Sequence, residues 1–146
     1  MFSIRSYYQI LDLQTSNVNL LDLYTQLIDK QLLKEKETIK IISKKIEIRE
    51  KIKHELDTCL EDNFISKRAR LISTICSYTF PFLMETKYTV LRFSRINKWE
   101  LTLDLEVKNI RNYYKILFDQ THSRGVTNLL LDQKRRVETA LIETRS

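Results

Sequence analysis

Apolar residues recur three or four positions apart through most of the chain, the spacing of amphipathic helices. Near the start, Ile4, Tyr8 and Leu11 share a helical face, with Phe2, Tyr7 and Leu13 beside them, and predict a short helix. The TSNVN stretch reads as its stop and as the cap of the next element. Asn19 can accept from free backbone N–H groups, and Asp22 suits the positive end of a helix dipole. From Leu20 to about Leu60 there is neither Gly nor Pro, and Leu20, Tyr24, Leu27, Ile28, Leu32, Ile39, Ile42, Ile46, Ile52, Leu56 and Leu60 mark a helix.

A single helix of about forty residues would run ~60 Å at 1.5 Å per residue. A compact chain of this length has a radius of gyration of about 15 Å. Either the helix breaks near the KEKET stretch, or it projects and packs on another long helix from this chain or a partner. Glu35 and Arg49 interrupt any heptad seam, which favours an extended helix in a bundle over a coiled coil. The β-branched run IKIISKKIEI leaves a strand reading open.

Asp62-Asn63 marks a junction. Beyond it Phe64, Ile65, Ala69, Ile72, Ile75 and Cys76 share a helical face, and Pro81 ends or kinks that helix. WELTLDLEV then alternates, with Trp99, Leu101, Leu103, Leu105 and Val107 against Glu100, Thr102, Asp104 and Glu106, the period of a half-buried strand. The preceding KYTVLRFSRI is β-rich, and Asn97-Lys98 can turn a hairpin. In the rival reading a helix starts near Thr102 or Asp104, because Leu103, Val107, Ile110, Tyr114 and Leu117 also share a face. We read a small β-hairpin or extended arm within 87–107, giving way to helix near Leu103. THSRG breaks the chain with Gly125 at a helix C-terminus, and VTNLLLDQKRRVETALIETRS closes as an amphipathic helix. The expected fold is mainly α and a single domain over 1–146, an elongated helical bundle. Residues 1–62 form a helical arm with a long charged amphipathic helix. Residues 63–146 form an aromatic-rich helical core, since nine of the fourteen aromatics lie between Tyr78 and Phe118.

Composition removes several classes of function. One Gly and one Pro in 146 residues exclude a glycine-rich phosphate loop and argue against a sandwich or barrel. Two cysteines, Cys59 and Cys76, make no disulfide framework, and the start resembles neither a signal peptide nor a mitochondrial presequence. An intracellular, reducing compartment is expected, with cytoplasm and nucleus both open. There is no apolar run long enough for a transmembrane segment; the nearest, Leu71 to Met84, is short and broken by Pro81. A net charge of +6 permits nucleic acid, an acidic partner or an anionic surface.

His54, Cys59, Glu55, Asp57, Glu61 and Asp62 raise the question of a metal, but His54 and Cys59 lie off a common helical face and lack paired ligands. They read as a charged helix end, and no metal or cofactor is expected. Cys76 reads as a buried small hydrophobe, and neither His54 nor His122 has a catalytic context, so no catalytic residue or enzyme activity is expected. Basic clusters are the stronger signal: Lys67, Arg68 and Arg70; Arg92, Arg95 and Lys98; Lys134, Arg135 and Arg136. The middle cluster, with Phe93 and Trp99, has the makings of a phosphate-plus-stacking surface. A helix-turn-helix around Gly125 fails, because Gln120, Arg124 and Lys134 occupy positions that should be buried. RLISTICSYTFPFLM, from Arg70 to Met84, resembles the central helix of the GINS replication-complex subunits in its Ser-Tyr ahead of Leu-Met. It departs from them at Pro81 and Phe82, where that family carries basic residues in unbroken helix. The likeness covers about fifteen residues and is not taken as membership.

The leading expectation is a non-enzymatic helical subunit or adaptor that assembles with a protein partner, or with itself, through Leu20, Tyr24, Leu27, Ile28, Ile39, Ile42 and Ile46. The alternative is a nucleic-acid-binding or replication/transcription-complex-associated protein that uses Arg92, Arg95, Lys98, Lys134, Arg135 and Arg136.

Overall fold

The computed structural model describes residues 3–29, 36–62, 98–120 and 122–145. These form four α-helices: α1 (Ile4–Asp29), α2 (Lys36–Asp62), α3 (Lys98–Asp119) and α4 (Arg124–Arg145). Serines begin the first and last. The Ser6 backbone N–H donates to Ser3 Oγ at 3.1 Å, and that of Val126 to Ser123 Oγ at 3.4 Å, so each hydroxyl satisfies a donor the first turn leaves free. Glu37 and Glu100 place carboxylates in the first turns of α2 and α3.

Pairings fix the helix directions. Gln14 donates to the Lys53 carbonyl at 2.9 Å and Asn17 to that of Arg49 at 2.9 Å, so α1 and α2 are antiparallel. Arg5 meets Asp119 at 2.8 Å while Tyr24 meets Glu106 at 2.5 Å, so α1 and α3 are antiparallel too. α4 runs antiparallel to α2 through Glu55–Arg136 and Lys44–Glu143, and hence to α3, to which Tyr113–Gln133 and Tyr114–Glu138 tie it. Each helix therefore has two antiparallel neighbours, and α2 and α3 lie parallel across one diagonal.

Two apolar clusters fill the bundle. At one end Ile10, Leu13, Ile52, Leu56, Tyr113, Ile116, Leu130 and Val137 come from all four helices. At the other Leu20, Leu23, Tyr24, Leu27, Ile42 and Leu105 come from α1, α2 and α3. The segments read as arm and core thus share one interior.

The helical class stands, and several local expectations change. The long apolar-periodic stretch belongs to two helices, one ending at Asp29 and the next beginning at Lys36, the first of the two solutions above. TSNVN neither stops nor caps a helix, because α1 runs through it. Thr15 Oγ1 donates to the Leu11 carbonyl at 2.9 Å, and Asn17 is fully buried against α2, so these side chains are used inside the helix. IKIISKKIEI is helical. So is WELTLDLEV, which belongs to α3 and carries no strand; the rest of the expected hairpin, 87–97, lies outside the described residues. Its buried positions are Thr102, Leu105, Glu106, Asn109, Tyr113 and Ile116, a helical series that uses the polar members of the alternation. The residue after α3 with a left-handed backbone is Gln120, at φ 50°, and Gly125 lies inside the first turn of α4. An elongated shape is not established by these helices, whose 22 to 27 residues correspond to about 33–40 Å each.

Candidate functional site

Among the described residues, the most highly organised polar group lies in the interior. Arg49 of α2 sits between the two apolar clusters with 1% of its surface exposed. Its Nη2 pairs with Glu106 Oε2, and its Nη1 donates to Asn109 Oδ1 at 2.8 Å and to Asn17 Oδ1 at 3.2 Å. Tyr24 donates its hydroxyl to the other Glu106 oxygen at 2.5 Å, and Asn109 donates to Ser16 at 3.0 Å. Burial, reinforced by the Glu106 charge and hydrogen bond, pushes the Tyr24 phenol far above its ordinary pKa and keeps it a donor. Lys45, also buried, holds Nζ 5.7 Å from the centre of the Tyr24 ring. Burial is the main cause of its lowered pKa, with Glu106 opposing and Arg49 adding to the fall.

A second chain of polar groups ties α2, α3 and α4. Tyr113 donates to Gln133 at 3.0 Å, Gln133 to Glu55 at 2.9 Å, and Arg136 to Glu55 at 2.6 Å. Tyr113 and Gln133 are both fully buried. Desolvation dominates the rise of the Tyr113 pKa.

Both networks join side chains of three helices. Both Glu106 oxygens are occupied, and the space beside Lys45, Arg49 and Glu106 leaves no room for a water-sized ligand. No acid or base in the first network reaches a surface where a substrate could meet it.

The partner face expected from sequence is placed mostly inside the chain. Leu20, Tyr24, Leu27 and Ile42 are buried, Ile28 and Ile46 are half-buried against the same cluster, and Ile39 alone of the seven is exposed, at 37%. α3 covers the strip that a partner was expected to cover, because α1 packs on α3 as well as on α2. Of the expected nucleic-acid residues, Arg92 and Arg95 lie outside the described residues, and Lys98 begins α3. Lys134 pairs with Glu138 at 3.4 Å and stands 4.2 Å from the Tyr114 ring centre. Arg136 pairs with Glu55 and, at 3.0 Å, with Asp132, while Arg135 is exposed. The run Lys134-Arg135-Arg136 therefore splits around the helix, and two of its three cations serve the fold.

Around His54 and Cys59, Glu55 and Asp57 are taken by interhelical bonds, Asp57 accepting from Gln14. Cys59 is buried in the core, and desolvation, followed by the Asp62 charge, raises its thiol pKa. Among the described residues no three His, Cys, Asp or Glu side chains converge as metal ligands would, and no helix is long and apolar enough to cross a membrane.

Two surface features went unnoticed in the sequence. The outer side of the α3–α4 hairpin carries Tyr114, Phe118, Leu131 and Ile142, exposed by 54%, 87%, 43% and 68%. Tyr114 bonds to Glu138, Phe118 is one turn from Tyr114, and Leu131 and Ile142 lie along the Glu138 stripe of α4, about 16 Å apart. Along the neighbouring stripe of α3, Lys108, Arg111 and Lys115 line an open groove against α1. The first signal was masked because Tyr114 fitted an apolar face on paper. The second was masked because these cations are not adjacent in sequence.

Comparison of the chain with protein-family models, with curated proteins and with solved structures returns no match.

Proposed function

We propose that this chain is a non-enzymatic helical subunit or adaptor that assembles with a protein partner through the outer side of α3 and α4. Phe118 carries the reading, a whole aromatic ring offered to solvent with 87% of the residue exposed. Tyr114 and Leu131 extend it into an apolar strip edged by Lys134 and Glu138. An apolar strip rimmed by charged side chains has the anatomy of an interface. Covering a Phe side chain is worth about 1.5–3 kcal/mol. Aromatic anchors of this kind dominate protein–protein affinity. This reading keeps the class of function expected from sequence and moves the surface from the Leu20–Ile46 face to the second hairpin.

A photoreactive phenylalanine analogue at position 118 tests it, with the same group at exposed Lys51 as control. The expected result is a protein adduct of defined mass from position 118 alone. An adduct of twice the chain mass would make the partner a second copy. Equal labelling from both positions, or none from 118, would overturn the assignment.

A further inference from the structure

Lys108, Arg111 and Lys115 are exposed, and none has an ion pair among the described residues. Their spacing of three and then four residues puts them in one stripe, about 10 Å long at 1.5 Å of rise per residue. The stripe forms one wall of an open groove of about 350 Å³ between α1 and α3. Asn112 adds a neutral hydrogen-bonding group to that wall, and Asp12 of α1 supplies the single carboxylate of the lining.

A line of cations suits a linear polyanion better than a compact ion, which would meet only one or two of them. Each of the three cations can neutralise one phosphate of a nucleic-acid strand that runs along the stripe. Asp12 opposes an anion only at the Lys115 end. Burial raises its pKa and Lys115 pulls it back down. Lys108 and Arg111 remain free to meet phosphates.

We propose that the α1–α3 groove binds the phosphodiester backbone of a nucleic-acid strand, with Lys108, Arg111 and Lys115 as its phosphate contacts and no base-specific reading. The site adjoins Phe118, which follows Lys115 by three residues on α3, and differs from the protein-partner strip in the chemistry of its ligand. It also differs from the clusters singled out in the sequence, two of whose cations the fold engages.

Fluorescence anisotropy with a labelled twenty-nucleotide DNA strand, titrated with the full chain between 50 and 200 mM salt, tests the proposal. Three strand phosphates predict a log–log salt slope near −2, or about 20-fold weaker binding across that range. The triple variant K108Q/R111Q/K115Q should bind at least about 10-fold more weakly at 50 mM salt and lose about 2 from the slope. The single variant Arg111→Glu should lose affinity in the same direction. The triple variant K36Q/K40Q/K51Q removes the same charge from exposed positions of α2 and should stay within about 2-fold of the unaltered protein. Circular dichroism of each variant establishes that it is folded. The site is overturned by an unaltered affinity in the groove variants, by an equal loss in the α2 variant, or by no binding at 50 mM salt. Equally tight binding of polyglutamate would overturn the nucleic-acid assignment.

Discussion

At position 49 a guanidinium occupies an interior place that an Ile or Leu would fill in a simpler bundle. Its side-chain partners come from two other helices, α1 and α3, so one side chain of α2 sets the relative height of all three. Removing one member of a buried ion pair leaves the other charge unpaired. Arg49→Met should therefore cost about 3–5 kcal/mol in a urea or thermal melt. Arg49→Met and Glu106→Leu together should cost less than the sum of the single changes by more than about 1 kcal/mol, since the second substitution removes the orphaned carboxylate. Strict additivity would show that the pair does not act as a unit. His122 gives a pH-dependent counterpart. Its Nε2 lies 2.9 Å from Gln9 Oε1, and burial lowers its pKa from 6.5 against the pull of Asp119. A histidine with a lowered folded-state pKa favours the fold in its neutral form. Its contribution is present above about pH 6.5 and lost as the pH falls through the lowered folded value. The difference in melting temperature between the unaltered protein and His122→Gln should narrow or reverse on acidification over that window. None of these roles was legible in the sequence. Arg49 looked like a fault in a heptad and Glu106 like the outward member of a strand, because a one-dimensional pattern assigns charges to solvent. Only the packing of several helices shows a charge its partners.

At the scale of the element, apolar spacing located most of α1, α2 and α4, while their ends and α3 were harder to read. Asn17 and Thr15 have the chemistry of helix caps, and that local preference yields when an Asn side chain can satisfy a buried arginine across the interface. WELTLDLEV has the alternation of a strand, yet Thr102, Glu106 and Asn109 are buried because α1 and α2 offer them polar partners or tight packing. The one glycine looked like a terminator. It stands in the first turn of α4, has no positive φ, and a Cβ added there would meet nothing within 4 Å. Gly125→Ala should therefore stabilise the protein by about 0.5–1 kcal/mol through helix propensity and unfolded-state entropy. Gln120, with φ 50°, should gain about 1 kcal/mol as Gln120→Gly. Paired thermal melts check both, and a loss of stability in either would contradict the placement of the α3–α4 turn.

At the scale of the whole molecule, the balance of long helices and short length first suggested an apolar face left uncovered. The bundle covers that face itself, by setting α3 against α1 and α4 against α2. What it leaves outside is a smaller and more specific surface, the aromatic strip around Phe118, and a basic groove beside it along α3. Assembly with a protein partner is the central claim, and the native mass of the chain taken from its source tests it most directly. With nucleic acid digested first, light scattering should give a mass well above 17.6 kDa for the unaltered chain. It should give the 17.6 kDa of the single chain for Phe118→Glu, a change at an exposed position that leaves the core intact. A mass of 17.6 kDa for the unaltered chain at micromolar concentration, or the same larger mass for both, would contradict the account.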